Sequence, residues 1–234
     1  MEFRPALVVF DKDGTLLDFH AMWGGWVREL AARLEADSGL AVSQALFRAY
    51  GYDSADGRAR ADSFLAITPM ATLRVMAGEV LRKAGHPASG VESALAAAWR
   101  APDPVATARP LADLPALFVA LRERGAKITV ATGDDRSPTE AALAACGVAG
   151  LVDALACADD GFPPKPQADM VVYLCRLLDV PAAQTMVVGD TVADMQMARG
   201  AGAGLAVGVL SGVSPAEVLA PHADVLLNSV AELI

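Results

Sequence analysis

Cysteine is scarce in this 234-residue chain: Cys146, Cys157 and Cys175 make an odd count, with no metal-ligand spacing among them. That excludes a disulfide framework and predicts buried free thiols in a reducing, cytoplasmic setting. Basic runs are missing too. The 19 Lys and Arg are outnumbered by 28 Asp and Glu, giving a formal net charge of −9 and a pI near 4.8. Such a balance argues against nucleic acid as a partner, and an anionic substrate would need positive charge gathered at its site. Membrane-spanning runs are also absent. The uncharged stretch 200–216 is broken by glycines and Pro215, so no membrane span is expected. Glu2 and Arg4 precede an apolar run that is short and ends in Asp11, so no secretory signal is expected.

Apolar residues, by contrast, make up 54% of the chain, ample for a core. Three of the apolar runs share an ending. Ala6-Leu7-Val8-Val9-Phe10 runs into Asp11-Lys12-Asp13-Gly14-Thr15-Leu16-Leu17-Asp18, with two carboxylates two residues apart. Thr185-Met186-Val187-Val188-Gly189 runs into Asp190, with Asp194 four residues on, and Lys127-Ile128-Thr129-Val130-Ala131 ends in Thr132. Asp is a poor strand residue, and like charges this close repel unless something positive lies between them. If these runs are parallel strands of one sheet, their carboxyl ends form a single site.

The C-terminal half alternates strand and helix signals. Helices are expected over 111–124, from Ser137 as N-cap with Pro138 and Glu140 behind it, from Pro166, and over 192–199. Strands are expected at 127–131, 154–157, 185–189, 205–209 and 225–227. This order implies a parallel, doubly wound Rossmann-like α/β sheet with helices on both faces. The stretch from about 20 to 100 instead shows helical patterns near 20–36, 40–50, 69–84 and 89–100, with a loop from Tyr52 to Asp62. Too long for a structureless connection, it reads as an inserted all-helical module, returning to the core through Pro102, Pro104 and Pro110. The domains expected are thus a core of residues 1–18 and 102–234 and a cap of residues 19–101. The Gly200–Gly204 run follows a helix and precedes a strand, the reverse of a dinucleotide-binding loop.

Asp11, Asp190 and Asp194 offer oxygen ligands with no His or Cys nearby, which points to Mg²⁺. Lys165, held between Pro164 and Pro166, supplies a counter-charge. Thr132-Gly133 offers a hydroxyl and an unhindered N–H suited to a phosphate oxygen.

Together Asp11-Lys12-Asp13-Gly14-Thr15, Thr132, Lys165 and Gly189-Asp190-Thr191-Val192-Ala193-Asp194 resemble, in order and spacing, the four motifs of the haloacid dehalogenase superfamily. The insertion looks like the cap of its phosphoglycolate-phosphatase-like branch. The resemblance implies Asp11 as nucleophile through an aspartyl-phosphate, and Asp13 as general acid and then base. It implies Mg²⁺ held by Asp11, the Asp13 backbone carbonyl and Asp190 with help from Asp194, and phosphoryl oxygens held by Thr132 and Lys165. The dehalogenase and phosphonatase branches lack the second aspartate, so Asp13 favours phosphate esters. One departure is Gly133-Asp134, where many relatives carry asparagine after the hydroxyl residue. A small phosphorylated metabolite is the expected substrate, of a monomer or homodimer, with His20, Arg58 and Arg60 of the cap as candidate specificity residues. A phosphosugar mutase of the same fold and a non-catalytic metal- or phosphate-binding module are the competing readings.

Overall fold

The computed structural model describes residues 3–61 and 63–234. The chain forms two compact units: one runs to Phe19 and resumes over Pro104–Ile234, the other is His20–Asp103.

The first unit is built on six strands: β1 (Leu7–Phe10), β2 (Lys127–Ala131), β3 (Ala154–Ala156), β4 (Thr185–Gly189), β5 (Leu205–Val209) and β6 (Val225–Leu227). They form one parallel sheet in the order β3-β2-β1-β4-β5-β6. The chain leaves β1 in one direction and later returns to the other side, so the order reverses between β1 and β4. Phe10 lies opposite both Val130 and Val188 in register. In such sheets the crevice at this reversal, beyond the carboxyl ends, is where ligands bind.

Burial on both faces explains why the strands read as unbroken apolar runs. Alternate residues point to opposite faces. Val8 and Phe10 pack with Leu117, Phe118 and Leu143 on one side, where the Phe10 and Phe118 rings stack at 5.4 Å. Leu7 and Val9 pack with Met170, Leu174 and Met195 on the other.

Three helix starts differ from expectation. The helix expected from Leu111 begins at Leu114, because the Asp113 side chain caps it by accepting from Ala116 N. The next is Arg136–Ala145 with Asp135, not Ser137, at its N-cap. Proline is tolerated throughout a first turn, so Pro138 fitted either start. The third begins at Asp169 rather than Pro166. The Lys165–Pro166 peptide is cis, and a turn in which Gln167 N donates to Pro164 O (3.1 Å) precedes the helix. The proline-rich return is not wholly extended, since Pro104–Thr107 makes one helical turn.

The inserted unit holds helices Gly25–Ser38, Ser43–Tyr50, Met70–Lys83 and Val91–Ala98 around Leu30, Leu34, Leu46, Leu73 and Leu81. Trp26 packs on Tyr50 and Trp99. It is not all-helical: where a loop was expected, Tyr52–Asp53 pairs antiparallel with Arg58–Ala59. The turn closes with Gly57 N donating to Asp53 O at 3.0 Å. Asp62, the end of that expected loop, lies outside the described residues. Two bonds tie the unit's ends together: Trp26 Nε1 donates to Arg100 O (2.7 Å) and Arg33 Nε to Ala98 O (2.8 Å). Among the described residues no helix is long and apolar enough to cross a membrane, and the three cysteines are free thiols.

Candidate active site

Asp11 is the first residue beyond β1, and its N–H still donates to Val188 O at 2.8 Å, so the β1–β4 pairing itself fixes its backbone. Asp190 is the first residue beyond β4. One oxygen each from Asp11, Asp190 and Asp194 lie within 4.8 Å of one another, and all three residues are buried. Lys165 Nζ donates to Asp11 Oδ1 and to Asp194 Oδ1, both at 2.6 Å. Four of the residues singled out in the sequence therefore meet at the sheet's reversal point.

Asp190 and Asp194, four residues apart, do not lie on one helix. Asp190 precedes the helix Val192–Ala201, whose N-cap is Thr191. Asp194 is in its first turn and completes a capping box: its Oδ2 accepts from Thr191 N (3.1 Å) and Oγ1 (2.5 Å), while Thr191 Oγ1 accepts from Asp194 N. The Asp190 carboxylate accepts from Val213 N at 2.8 Å and more loosely from Thr15 Oγ1 at 3.4 Å. Glycine is required on both sides of it. A Cβ on Gly212 would collide with the Asp190 carboxylate, and one on Gly14, which also has φ +92°, would come within 2.5 Å.

The cluster is short of positive charge. Burial lifts Asp11 to about 7, opposed by Lys165 and reinforced by Asp194. Asp190 is pushed well above the ordinary carboxyl range by burial and then by the charges of Asp11 and Asp194. Burial works against the Lys165 ammonium, yet Asp11 and Asp194 outweigh it and hold its pKa above the ordinary value. Three buried carboxylates facing one ammonium, with oxygen as the sole donor type, fit a hard divalent cation.

The side chain of Asp13 stands in a second cluster. Lys12 Nζ lies 2.9 Å from both of its oxygens and 2.9 Å from Asp134 Oδ2. Thr132 is buried at the end of β2, where its N–H donates to Ala156 O (2.9 Å) and its Oγ1 accepts from Asp134 N (3.1 Å). Gly133 follows it, exposed. His20, Arg58 and Arg60 belong to the inserted unit. There His20 Nδ1 accepts from Ala59 N at 3.4 Å, Arg58 is exposed on the short ladder, and Arg60 is exposed just beyond it.

Sequence reasoning missed Lys12, Gly212 and Val213, and noted Asp134 only as a departure from the family pattern. It also left unread the Thr191-x-x-Asp194 pattern, which is a capping-box signature.

The family model of the haloacid dehalogenase-like hydrolases matches residues 5–202. The chain belongs to that family. A curated member, a plasmid-encoded phosphoglycolate phosphatase of Cupriavidus necator, is 32% identical over 116 residues, which are 50% of each chain. The chain spans about half the length of the curated relatives it matches. Among solved structures, a predicted phosphoglycolate phosphatase from Haemophilus somnus superposes with a TM-score of 0.70 at 18% identity, covering 100% of this chain and 98% of that one. A family hydrolase from Deinococcus radiodurans, with bound phosphate and sodium, gives 0.66 at 19% identity, covering 99% and 94%. At such identities these likenesses speak for the fold of this haloacid dehalogenase-like chain.

Proposed function

We propose that this haloacid dehalogenase-like chain is a Mg²⁺-dependent phosphatase acting on a small phosphorylated metabolite through an aspartyl-phosphate. The observation that carries the reading is the buried Asp11–Asp190–Asp194 cluster bridged by Lys165 at the sheet's reversal point. The curated phosphoglycolate phosphatase relative and the solved relative with bound phosphate support it.

Asp11 is assigned as nucleophile. Lys165 fixes Asp11 Oδ1, and no described group donates to Oδ2, which is left to attack phosphorus. Asp13 donates a proton to the departing ester oxygen and then takes one from the attacking water. Thr132, Gly133 N–H and Lys165 hold the phosphoryl oxygens. Asp11, the Asp13 carbonyl and Asp190 would hold the metal. Asp194 has both oxygens engaged by Thr191 and Lys165 and contributes mainly charge, so Asp190→Ala should weaken Mg²⁺ binding more than Asp194→Ala. Bound Mg²⁺ would neutralise charge on the transferring phosphoryl group. Incubation with a panel of phosphorylated metabolites and Mg²⁺, read as free phosphate, tests the proposal. Phosphoryl passed to a second sugar hydroxyl without free phosphate would identify a mutase instead.

Because burial holds Asp11 near 7, a cation must displace its proton at lower pH. Apparent Mg²⁺ affinity by calorimetry should be about tenfold weaker at pH 6 than at pH 8, with proton release at pH 6. A constant affinity across that range would mean that Asp11 is already ionised at pH 6 or lies outside the ligand set.

The His20–Asp103 unit is assigned the role of specificity cap, with Arg58, or failing that Arg60, reading the non-phosphate end of the substrate. His20 is assigned to the same surface. Arg58→Ala should lower kcat/KM for the true substrate at least about tenfold while sparing a plain aryl phosphate, which offers no anionic group to an arginine. Equal losses on both esters would assign Arg58 to the phosphate or the fold instead.

A further inference from the structure

Lys12 is the side chain that the mechanism above leaves without a task. It is 0% exposed, and burying an ammonium is costly unless every donor finds a partner. Its partners are the two Asp13 oxygens and Asp134 Oδ2. Among the described residues no other group donates to the Asp13 carboxyl. Asp134 is itself fixed: its Oδ1 accepts from Asp135 N (2.9 Å), its own N–H donates to Thr132 Oγ1 (3.1 Å), and its carbonyl accepts from Ala158 N (3.0 Å). A continuous set of bonds therefore runs from Thr132 through Asp134 and Lys12 to Asp13.

Stability is a poor reason for this arrangement. A buried ion cluster is seldom more stabilising than apolar side chains of the same volume. What methionine at position 12 could not do is set the rotation of a neighbouring carboxyl. We infer that Lys12 and Asp134 are positioning residues: together they hold the Asp13 carboxyl in register with the phosphoryl group gripped by Thr132. The inference rests on the phosphatase reading.

In the first step an Asp11 oxygen bonds to phosphorus as the bond from phosphorus to the ester oxygen breaks. The departing oxygen keeps the electron pair and takes the proton of Asp13. In the second, water attacks phosphorus, Asp13 takes its proton, and the bond from Asp11 to phosphorus breaks. Lys12 and Asp134 exchange nothing. Lys12, 2.9 Å from both Asp13 oxygens, holds the ionised carboxyl, and the protonated carboxyl keeps one of those bonds while its other oxygen carries the proton.

The decisive variant is Lys12→Met combined with Asp134→Asn, which removes both charges and leaves no uncompensated ammonium. Its folding is checked by thermal melting. Two esters are compared: phosphoglycolate, or whichever alkyl phosphate the wild type turns over fastest, and 2,4-dinitrophenyl phosphate, whose leaving group departs without a proton. With the clamp gone, kcat/KM for the alkyl ester should fall about 100-fold, within the range for general acid catalysis. For the dinitrophenyl ester it should change less than about threefold. That ester should also show a burst of dinitrophenol, since hydrolysis of the aspartyl-phosphate still calls on Asp13. Asp134→Asn alone should show the same selectivity to a smaller degree. In an active wild type, equal loss on both esters, or no loss on either, overturns the clamp and leaves the phosphatase reading standing. A wild type that turns over neither ester overturns both.

Discussion

Asp11→Asn should abolish phosphate release, with a loss of about 10³-fold or more, while the protein stays folded. The substitution keeps the shape but removes the attacking oxygen and one charge from the metal cluster. The fold should survive because burial already disfavours the Asp11 charge and Asp194 adds to the penalty. Lys165 retains a partner in Asp194 Oδ1 at 2.6 Å. Trapping with labelled phosphoryl donor should give covalent label in the wild type and none in the variant. Release within tenfold of wild type would eliminate Asp11 as nucleophile, and with it the aspartyl-phosphate.

Lys165→Met should act first on stability. Lys165 is the sole cation bonded to Asp11 and Asp194 among the described residues, and all three side chains are largely buried. Removing one partner from such a group leaves uncompensated charge and costs about 3–5 kcal/mol. In a chain of this size that is a fall of roughly 6–20 °C in melting temperature in EDTA. The size of the penalty depends on pH. Without Lys165, its lowering effect on Asp11 is lost, so the Asp11 pKa in the folded state rises further above its unfolded value. The unfolded chain then binds fewer protons than the native one, and stability falls as pH rises toward the folded value. The penalty should be smaller near pH 5 than near pH 8. Millimolar Mg²⁺ should recover part of it by supplying the missing charge, whereas activity should stay below about 1% of wild type for want of a phosphoryl contact. A melting temperature indifferent to the substitution at pH 8 in EDTA would show that the bridge contributes nothing to folding.

How much of this was legible beforehand varied with the kind of signal. The strands at 127–131, 185–189, 205–209 and 225–227 stand where the apolar runs put them, because a strand buried on both faces leaves a compositional mark along its length, and even the half-buried edge strand 225–227 is apolar throughout. Asp11, Asp190, Thr132 and Lys165 were legible for a related reason: a polar residue that ends a buried strand, or a lysine fenced by prolines, breaks an otherwise apolar pattern. Helix starts were ambiguous where several capping residues compete, as in Asp134-Asp135-Arg136-Ser137. The ladder at Tyr52–Ala59 had a turn signal in Asp56-Gly57, but two residues per strand are too few to show alternation. Lys12 gave no signal at all. A lysine is ordinarily read as solvated, and its burial follows from Asp134, 122 residues away in the chain. Gly212 and Val213 were invisible for the same reason, since nothing near them in sequence hints at the Asp190 carboxylate they enclose.

The ties at the two ends of the insertion, Trp26 to Arg100 and Arg33 to Ala98, bear on how the sheet assembles. β1 must find β2 across the whole insertion, and a loop of that length is entropically expensive to close. If the inserted unit folds first, those bonds short-circuit it, and the connection left to close is roughly three times shorter. By the logarithmic dependence of closure entropy on length, that spares about 1 kcal/mol in pairing β1 with β2. Loosening the staple, for example by Trp26→Phe, should therefore slow the formation of the central sheet although it touches no residue of that sheet. The insertion then serves folding as an intramolecular clasp, a role separate from anything it does for a substrate.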